Sequence, residues 1–303
     1  MLKKLLATAA LVASALTSAS AADLISKSAP PAPAPAPAFF IFADTQLSWR
    51  FETRAREPGN QRNIQKHIFA ITHFDVWKYG TNFANIDFLK SNSRDPANGG
   101  GDGAFEVYGL YRGTLSGNAL SGSRPFSVGP IKDVSLSFGF DANTKNTAFA
   151  PQKRDVVGGL QVAFDVPGYL TASVHAYKEW NHCGLSAGGV AICNRNVEFD
   201  TTAQFEIGYM QPLAFTGLPL NFSGYTNFVM PKGKDGFGAQ TKTEILSSNR
   251  LTLDIGKLAF GKANMVDAFV GYKYWRNKFG NNYRTNAGSI ENQIFFGLAW
   301  HAL

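Results

Sequence analysis

Three tyrosines fall in segments where polar and apolar residues alternate, and each lies on the polar face near ionisable side chains. A phenol ring offers a flat surface for stacking and a hydroxyl for hydrogen bonding. Charged groups on the same face add donors and acceptors. This combination suits weak, reversible binding of small, flat, polar molecules. The candidate residues are Tyr108, Tyr177, Tyr225, Glu106, Arg112, Asp165, His175, Glu179 and Glu206.

Signatures of covalent chemistry are weak in this sequence. Residues 184–188 have the spacing of a nucleophile elbow, but that motif needs a strand-to-helix turn, and here it lies in a loop between two cysteines. His73, Asp75 and His175 could form an acid–base cluster, so an enzyme stays open as a distant alternative. The five histidines have no metal-ligand spacing. We therefore expect no enzyme activity, no metal and no cofactor.

In the segments that carry the candidate residues, polar and apolar side chains alternate with a period of two residues. Leu47, Trp49 and Phe51 alternate with Ser48 and Arg50, which is typical of a half-buried strand. The same alternation recurs to the end of the chain, although both faces are apolar around 67–77. Twelve strands are predicted, near 44–54, 66–77, 82–90, 104–115, 133–142, 155–166, 169–180, 198–211, 218–229, 242–256, 265–276 and 290–303.

An all-β chain of this kind could be a β-sandwich or a membrane-spanning barrel. Strands of about ten residues with one apolar and one polar face favour a transmembrane antiparallel up-and-down β-barrel. The even strand number agrees, and short connections alternate with long ones, except for the long segment 116–132. Tryptophans near strand ends are expected to anchor the membrane interfaces. They are Trp49, Trp77, Trp180, Trp275 and Trp300.

The amino-terminal segment indicates export. Lys3 and Lys4 precede a short apolar run that ends in Ala19-Ser20-Ala21, which predicts a signal peptide over 1–21. Alternating Ala and Pro then predict a stiff periplasmic linker over 22–43, with the barrel at 44–303. Charged residues make up 17% of the chain, below the roughly 25% typical of soluble domains. We expect the outer membrane of a Gram-negative-type bacterium as its location.

The predicted external loops are basic. The long connections 55–65, 91–103, 143–154, 181–197, 230–241 and 277–289 are assigned outside. Counted over 54–63, 91–103, 143–154, 181–197, 231–241 and 277–289, these loops carry far more basic than acidic residues. This charge favours contact with lipopolysaccharide phosphates, or the attraction of anions to a pore mouth. Nucleic acid is not expected as a partner. The basic residues are Arg54, Arg56, Arg62, Arg94, Lys145, Lys153, Arg154, Arg195, Lys232, Lys234, Lys278 and Arg284.

Two cysteines, Cys183 and Cys193, lie close together in one of these loops. Cysteine pairs in an oxidising compartment usually form disulfides. We therefore predict a disulfide that restrains loop 181–197.

Residues 74–88, FDVWKYGTNFANIDF, resemble the second hairpin of the nucleoside-specific channels of the outer membrane, the Tsx-type porins. Segments 105–116, 158–180, 225–228 and 248–275 are laid out like later strands of that family. The resemblance implies a monomeric barrel of twelve strands with a narrow channel for nucleosides and deoxynucleosides. Lumen aromatics and ionisable groups would hold the base and the sugar. The alternative function is a general or anion-preferring porin.

Overall fold

A computed structural model describes residues 39–147 and 150–302, and within them the chain forms twelve long strands. We number these strands in chain order. They are β1 (Phe40–Glu57), β2 (Asn60–Trp77), β3 (Gly80–Ser91), β4 (Phe105–Ser116), β5 (Ile131–Lys145), β6 (Arg154–Phe164), β7 (Tyr169–His182), β8 (Thr202–Pro212), β9 (Leu220–Val229), β10 (Glu244–Asp254), β11 (Val266–Arg276) and β12 (Ile290–Ala302).

Each strand pairs antiparallel with the next, and β12 pairs back onto β1. The register of this closing pair runs without a break from Thr45 opposite Ala302 to Glu52 opposite Phe295. The sheet therefore has no free edge, which confirms the predicted twelve-stranded up-and-down barrel. Closure matters in lipid, because no water is present there to satisfy the backbone groups of an open edge.

The alternation within each strand separates an apolar outer wall from a polar interior. Phe205, Val270 and Phe296 are exposed on the outside, whereas Glu52, Gln204 and similar polar residues are buried inside. Such a surface is stable only against lipid. The predicted location is therefore confirmed, since a closed barrel with an apolar wall is an outer-membrane protein of a Gram-negative-type bacterium.

One predicted interface anchor is wrong. The register places Trp275 beside Glu291 and Leu246 on the interior face. Its indole N–H donates to Glu244 at 2.6 Å, and the ammonium of Lys278 lies 4.4 Å from a ring centroid. Trp275 thus belongs to the polar interior. Side chains alternate between the two faces of β11, and this alternation directs Trp275 inward although it lies near the end of the strand.

The first external loop is far shorter than predicted. Strands β1 and β2 continue through 55–65 as a hairpin and leave only Pro58 and Gly59 as the turn. Proline suits the first central position of a tight turn, and Gly59 takes the positive φ of 79° that the second position requires. The polar composition of this segment concealed a strand that extends beyond the membrane.

Two short helices lie at the end of the barrel where β1 begins and β12 ends. Helix α1 (Gly117–Ser121) follows β4, and the Ser116 hydroxyl caps it by accepting from Ala119 N. Helix α2 (Ile255–Phe260) follows β10 and is capped in the same way by Asp254. Segment 116–132 is therefore a long connection at the end of the barrel where the other connections are short. No helix among the described residues is long and apolar enough to cross a membrane.

The loop between β7 and β8 carries the predicted disulfide. Cys183 and Cys193 are joined, and the segment between them forms a small hairpin of Ser186–Ala187 with Val190–Ala191. After the bridge, Asn196–Glu198 pairs with the end of β7. The disulfide thus closes a loop that lies outside the twelve-stranded ladder.

Only the last residues of the predicted amino-terminal segments belong to the part of the chain that the structure describes. The signal peptide 1–21 and most of the linker 22–43 lie outside the described residues. Strand β1 begins at Phe40, so the last four residues of the predicted linker belong to the barrel.

A substitution at Val270 tests whether the apolar face of the strands points toward lipid. It lies near the middle of β11 and is 49% exposed to the lipid side. Replacing it with Arg should lower the free energy of unfolding in lipid vesicles by about 2–4 kcal/mol, because a charge would enter hydrocarbon. A guanidinium titration measures the change, with Val270→Ile as control. Equal stability of the two variants would place Val270 away from lipid.

Candidate functional site

The interior of the barrel collects most of the residues singled out from the sequence. Eight of the nine candidates lie on strands with side chains directed into the lumen by the registers of β4, β7, β8 and β9. They are Tyr108, Tyr177, Tyr225, Glu106, Arg112, His175, Glu179 and Glu206.

Asp165 is the exception. Strand β6 ends at Phe164, and Asp165 is exposed in the turn that follows. The turn forms here because Pro167 cannot donate to a ladder and Gly168 takes a φ of 81°. The prediction that Asp165 faces the lumen is therefore wrong.

An ion pair spans the lumen at Arg112. Its Nη1 donates to Asp141 on the neighbouring strand at 2.6 Å, and Tyr108 donates its hydroxyl proton to the other oxygen of that carboxylate at 2.8 Å. The Nε of Arg112 also lies 3.6 Å from Glu206 on β8. Three strands separate β4 from β8 in the wall. The contact therefore crosses the interior and narrows the lumen there.

The extracellular mouth is occupied by a carboxylate from the first hairpin. Glu57 lies 2.8 Å from Lys66, 3.6 Å from Lys145 and 3.8 Å from Lys278. These lysines come from β2, from β5 and from the loop after β11, so the carboxylate sits between three sides of the mouth. Register shifts on either side of Ala55 mark bulges, which bend a hairpin out of its ladder. The bent hairpin thereby partly closes the mouth.

Glu106 belongs to the same region near the mouth. It accepts a hydrogen bond from the Asn143 side chain at 2.7 Å and lies 3.5 Å from the ammonium of Lys145. Lys145 therefore links Glu106 to Glu57, and the carboxylates of β1 and β4 share one cation.

A second group of charges lies where β6 and β7 reach the external loops. Tyr177 donates its hydroxyl proton to Glu179 at 2.5 Å, and Lys232 forms an ion pair with the same carboxylate. Lys153 lies 2.9 Å from Asp155. Burial alone would lower the pKa of Lys153, but the nearby carboxylate of Asp155 raises it well above its ordinary value. Lys153 therefore stays charged.

The remaining two candidates leave polar or aromatic surface available. His175 is buried, with Nε2 2.9 Å from the Ser137 hydroxyl, and its Nδ1 has no partner among the described residues. Tyr225 faces the lumen, yet it is 42% exposed. Of the three candidate tyrosines, Tyr177 is buried, Tyr108 is half-buried and Tyr225 is exposed. Its ring is accordingly the most open aromatic surface of the three.

Strands β1, β3, β11 and β12 add charged residues that were not among the candidates. Arg50 lies 2.7 Å from Asp87, and Lys273 bridges Glu52 and Glu291 at 2.8 and 2.9 Å. The alternation in β1 already placed Arg50 on the polar face. Carrying the same parity through β11 and β12 would have found Lys273 and Glu291.

The positive external loops are less positive than their composition suggests. Lys145, Lys153, Lys232 and Lys278 are among the basic residues counted there, and all four turn inward to pair with lumen carboxylates. Ion pairing neutralises their charge. The mouth therefore offers a weaker attraction for anions than the loop sequences predicted.

The hypothetical acid–base cluster does not assemble. His73 and Asp75 lie 3.4 Å apart on the outer face of β2, where Thr45 contacts His73. His175 lies on the inner face of β7. The wall of the barrel separates these groups, so they cannot act on one substrate.

Comparison with known proteins yields weak likenesses only. No protein-family model and no curated protein sequence matches the chain. Among solved structures, the translocator domain of the autotransporter NalP from Neisseria meningitidis is 12% identical, with a TM-score of 0.43 over 85% of this chain and 88% of that one. KdgM porin is 8% identical, with a TM-score of 0.37 over 84% and 98%. OccK5 from Pseudomonas aeruginosa is 11% identical, with a TM-score of 0.30 over 88% and 99%. Scores this low carry no argument about what the protein does.

The buried pair of Lys232 and Glu179 can be tested by a double-mutant cycle. Both side chains are almost inaccessible, at 2% and 1% exposure. Lys232→Met should lower the free energy of unfolding by about 3–5 kcal/mol, because it leaves a buried carboxylate without its cation. Adding Glu179→Gln should restore most of that loss.

Guanidinium unfolding in detergent micelles measures both changes. Lys234→Met is the matched control, since Lys234 is exposed in the same loop. If Lys232→Met costs no more than this control, Lys232 does not compensate the buried charge of Glu179.

Proposed function

We propose that this barrel is a passive, narrow channel for small hydrophilic solutes, with nucleosides or deoxynucleosides as the preferred class. The observation that carries the proposal is the exposed ring of Tyr225 inside a lumen lined by paired charges. An aromatic face stacks on any nucleobase, and nearby charged groups exchange hydrogen bonds with sugar hydroxyls.

The surroundings of Tyr225 suit an uncharged ligand. Arg50, Asp87 and Lys273 lie close enough for their charges to act on the phenol. Cations and carboxylates are balanced there, because Arg50 pairs with Asp87, and Lys273 and Lys278 pair with Glu52 and Glu291. A neutral solute can hydrogen-bond to either sign of charge without breaking that balance. This feature supports a nucleoside over a charged solute.

Narrowness supports the same conclusion. The contact between Arg112 and Glu206 crosses the lumen, and the Glu57 carboxylate occupies the mouth. A general porin needs a wide water-filled passage, whereas a selective channel needs several weak sites close to the solute. Together with the resemblance to the nucleoside-specific channels, these contacts favour selectivity. We expect the protein to act as a monomer and without enzymatic activity.

Tyr225 provides the direct test. In planar bilayers, added thymidine or adenosine should reduce the single-channel current in a dose-dependent way. Tyr225→Ala should weaken this block roughly tenfold, since stacking contributes about 1–3 kcal/mol per base. Tyr272→Ala is the control, because Tyr272 is exposed on the outer wall.

The other outcomes assign other functions. Anion-selective current that nucleosides do not block would support the general or anion-preferring porin. Absence of any conductance would favour an enzyme or a structural role. An equal loss of block in the two tyrosine variants would remove Tyr225 from the solute path.

The cross-lumen contact gives a second test of the channel. Glu206→Ala removes one partner of Arg112, which keeps its 2.6 Å hydrogen bond to Asp141. Opening the constriction should raise the ion conductance about twofold while the barrel stays folded. Glu198→Ala, at an exposed carboxylate outside the lumen, is the control. Unchanged conductance in Glu206→Ala would show that the solute path avoids this contact.

A further inference from the structure

The outer rim of the barrel carries a basic notch beside the external ends of β10 and β11. Its volume is about 450 Å³, within the range of pockets that hold small ligands. Three cations line it, and no acidic residue does so in the described part of the chain. The lining residues are Lys242, Thr243, Ile245, Arg276, Asn277, Asn282, Tyr283 and Arg284.

The two arginines of the notch are held in place, but none of its three cations is neutralised by a carboxylate of the described residues. Arg276 stacks over the Tyr283 ring at 4.7 Å, and the Nε of Arg284 donates to the Tyr283 hydroxyl at 3.2 Å. The hydrogen bond and charge of Arg284 lower the pKa of this phenol, as expected in a positive field. Within 39–147 and 150–302, Lys242, Arg276 and Arg284 form no ion pair with a carboxylate.

A second observation points to a missing ligand. The Nε of Arg276 is buried and has no hydrogen-bond partner among the described residues. Buried polar groups in folded proteins are nearly always hydrogen-bonded, so an orphan donor needs an explanation. An anion in the notch would satisfy it.

The loop backbone preorganises the notch. The Asn277 side chain donates to the Thr243 carbonyl at 2.7 Å and accepts from Tyr283 N at 3.1 Å. Asn282 accepts from Arg284 N at 3.1 Å. Two arginines on a fixed aromatic platform suit the bidentate recognition of a phosphate group.

The position of the notch selects a lipid as the source of that phosphate. Ile245 and Arg276 are cross-strand neighbours on the outward face of the wall. On the same face of β11, in the direction of the membrane, lie Tyr272 and Val270, both exposed. An acyl chain can lie along these residues while its headgroup reaches the arginines. A free phosphate ion would gain nothing from this apolar strip.

We propose that this basic notch binds the phosphate of a phosphorylated glycolipid of the outer leaflet. The site lies outside the lumen and does not depend on the channel function. It gives the external arginines a specific ligand instead of a diffuse attraction to the membrane surface.

The experiment compares three probes on the folded full-length protein in detergent micelles. They are bisphosphorylated lipid A, the same lipid without its phosphates, and inorganic phosphate. Microscale thermophoresis measures each Kd. The bisphosphorylated lipid should bind most tightly, and the Arg276→Gln/Arg284→Gln variant should bind it roughly tenfold or more weakly, because hydrogen bonds to charged groups are lost.

A control variant removes the same amount of charge elsewhere. Arg62→Gln/Arg195→Gln changes two exposed external arginines that do not line the notch, and its affinity should match the wild type. Folding of each variant is checked by the migration of the unheated barrel on a gel. Arg284→Gln alone, outside any strand, keeps the test valid if the double variant fails to fold.

Three results would overturn the proposal. Equal lipid affinity in the wild type and the notch variants would exclude the notch as the site. Equal binding of lipid A with and without phosphates would exclude phosphate recognition. If inorganic phosphate binds as tightly as the lipid, the ligand of the notch is a free anion and not a lipid.

Discussion

The closing ladder between β1 and β12 is the constraint on which the rest of this structure depends. A backbone N–H or C=O without a partner in lipid costs several kcal/mol, so every strand must find two neighbours. Pairing of Thr45–Glu52 with the last strand meets this requirement for the whole sheet. Once the sheet closes, each strand has one face toward lipid and one toward the interior.

Closure also explains why the interior is crowded with charges. The inward faces of twelve strands hold carboxylates and cations at spacings that let them meet across the lumen, as Arg112 meets Glu206. In a low-dielectric wall these charges would be costly if single, but paired and hydrogen-bonded they are stable. The pairing narrows the passage and leaves it nearly balanced in charge. A narrow lumen of nearly balanced charge, with the exposed ring of Tyr225, agrees with the proposal of small neutral solutes.

Within the described part of the chain, the arginines at the outer rim are not neutralised by carboxylates in the way that the basic residues of the lumen are. There Arg276 and Arg284 are held on Tyr283 and keep their charge available, whereas Lys153 and Lys278 turn inward and lose theirs to ion pairs. Basic residues in the external loops thus divide into two groups with different partners. The loop sequences alone do not separate the groups, because the direction of a side chain depends on the strand parity and loop path next to it.

A period of two was enough to predict the strand number, the closed topology and the inward face for eight of the nine candidate residues, since side chains alternate strictly along a strand. It failed where chain geometry departs from that rule: at Asp165, where a Pro-Gly turn ends β6, and at 55–65, where a polar hairpin continues beyond the membrane. The alternation of side chains does not predict which residues of distant strands come into contact. Whether Glu57 meets Lys145, or Arg112 meets Glu206, depends on bulges and on the curvature of the whole barrel, which no local pattern contains. Alternation therefore decides which face a residue occupies, and barrel closure decides which residue lies opposite.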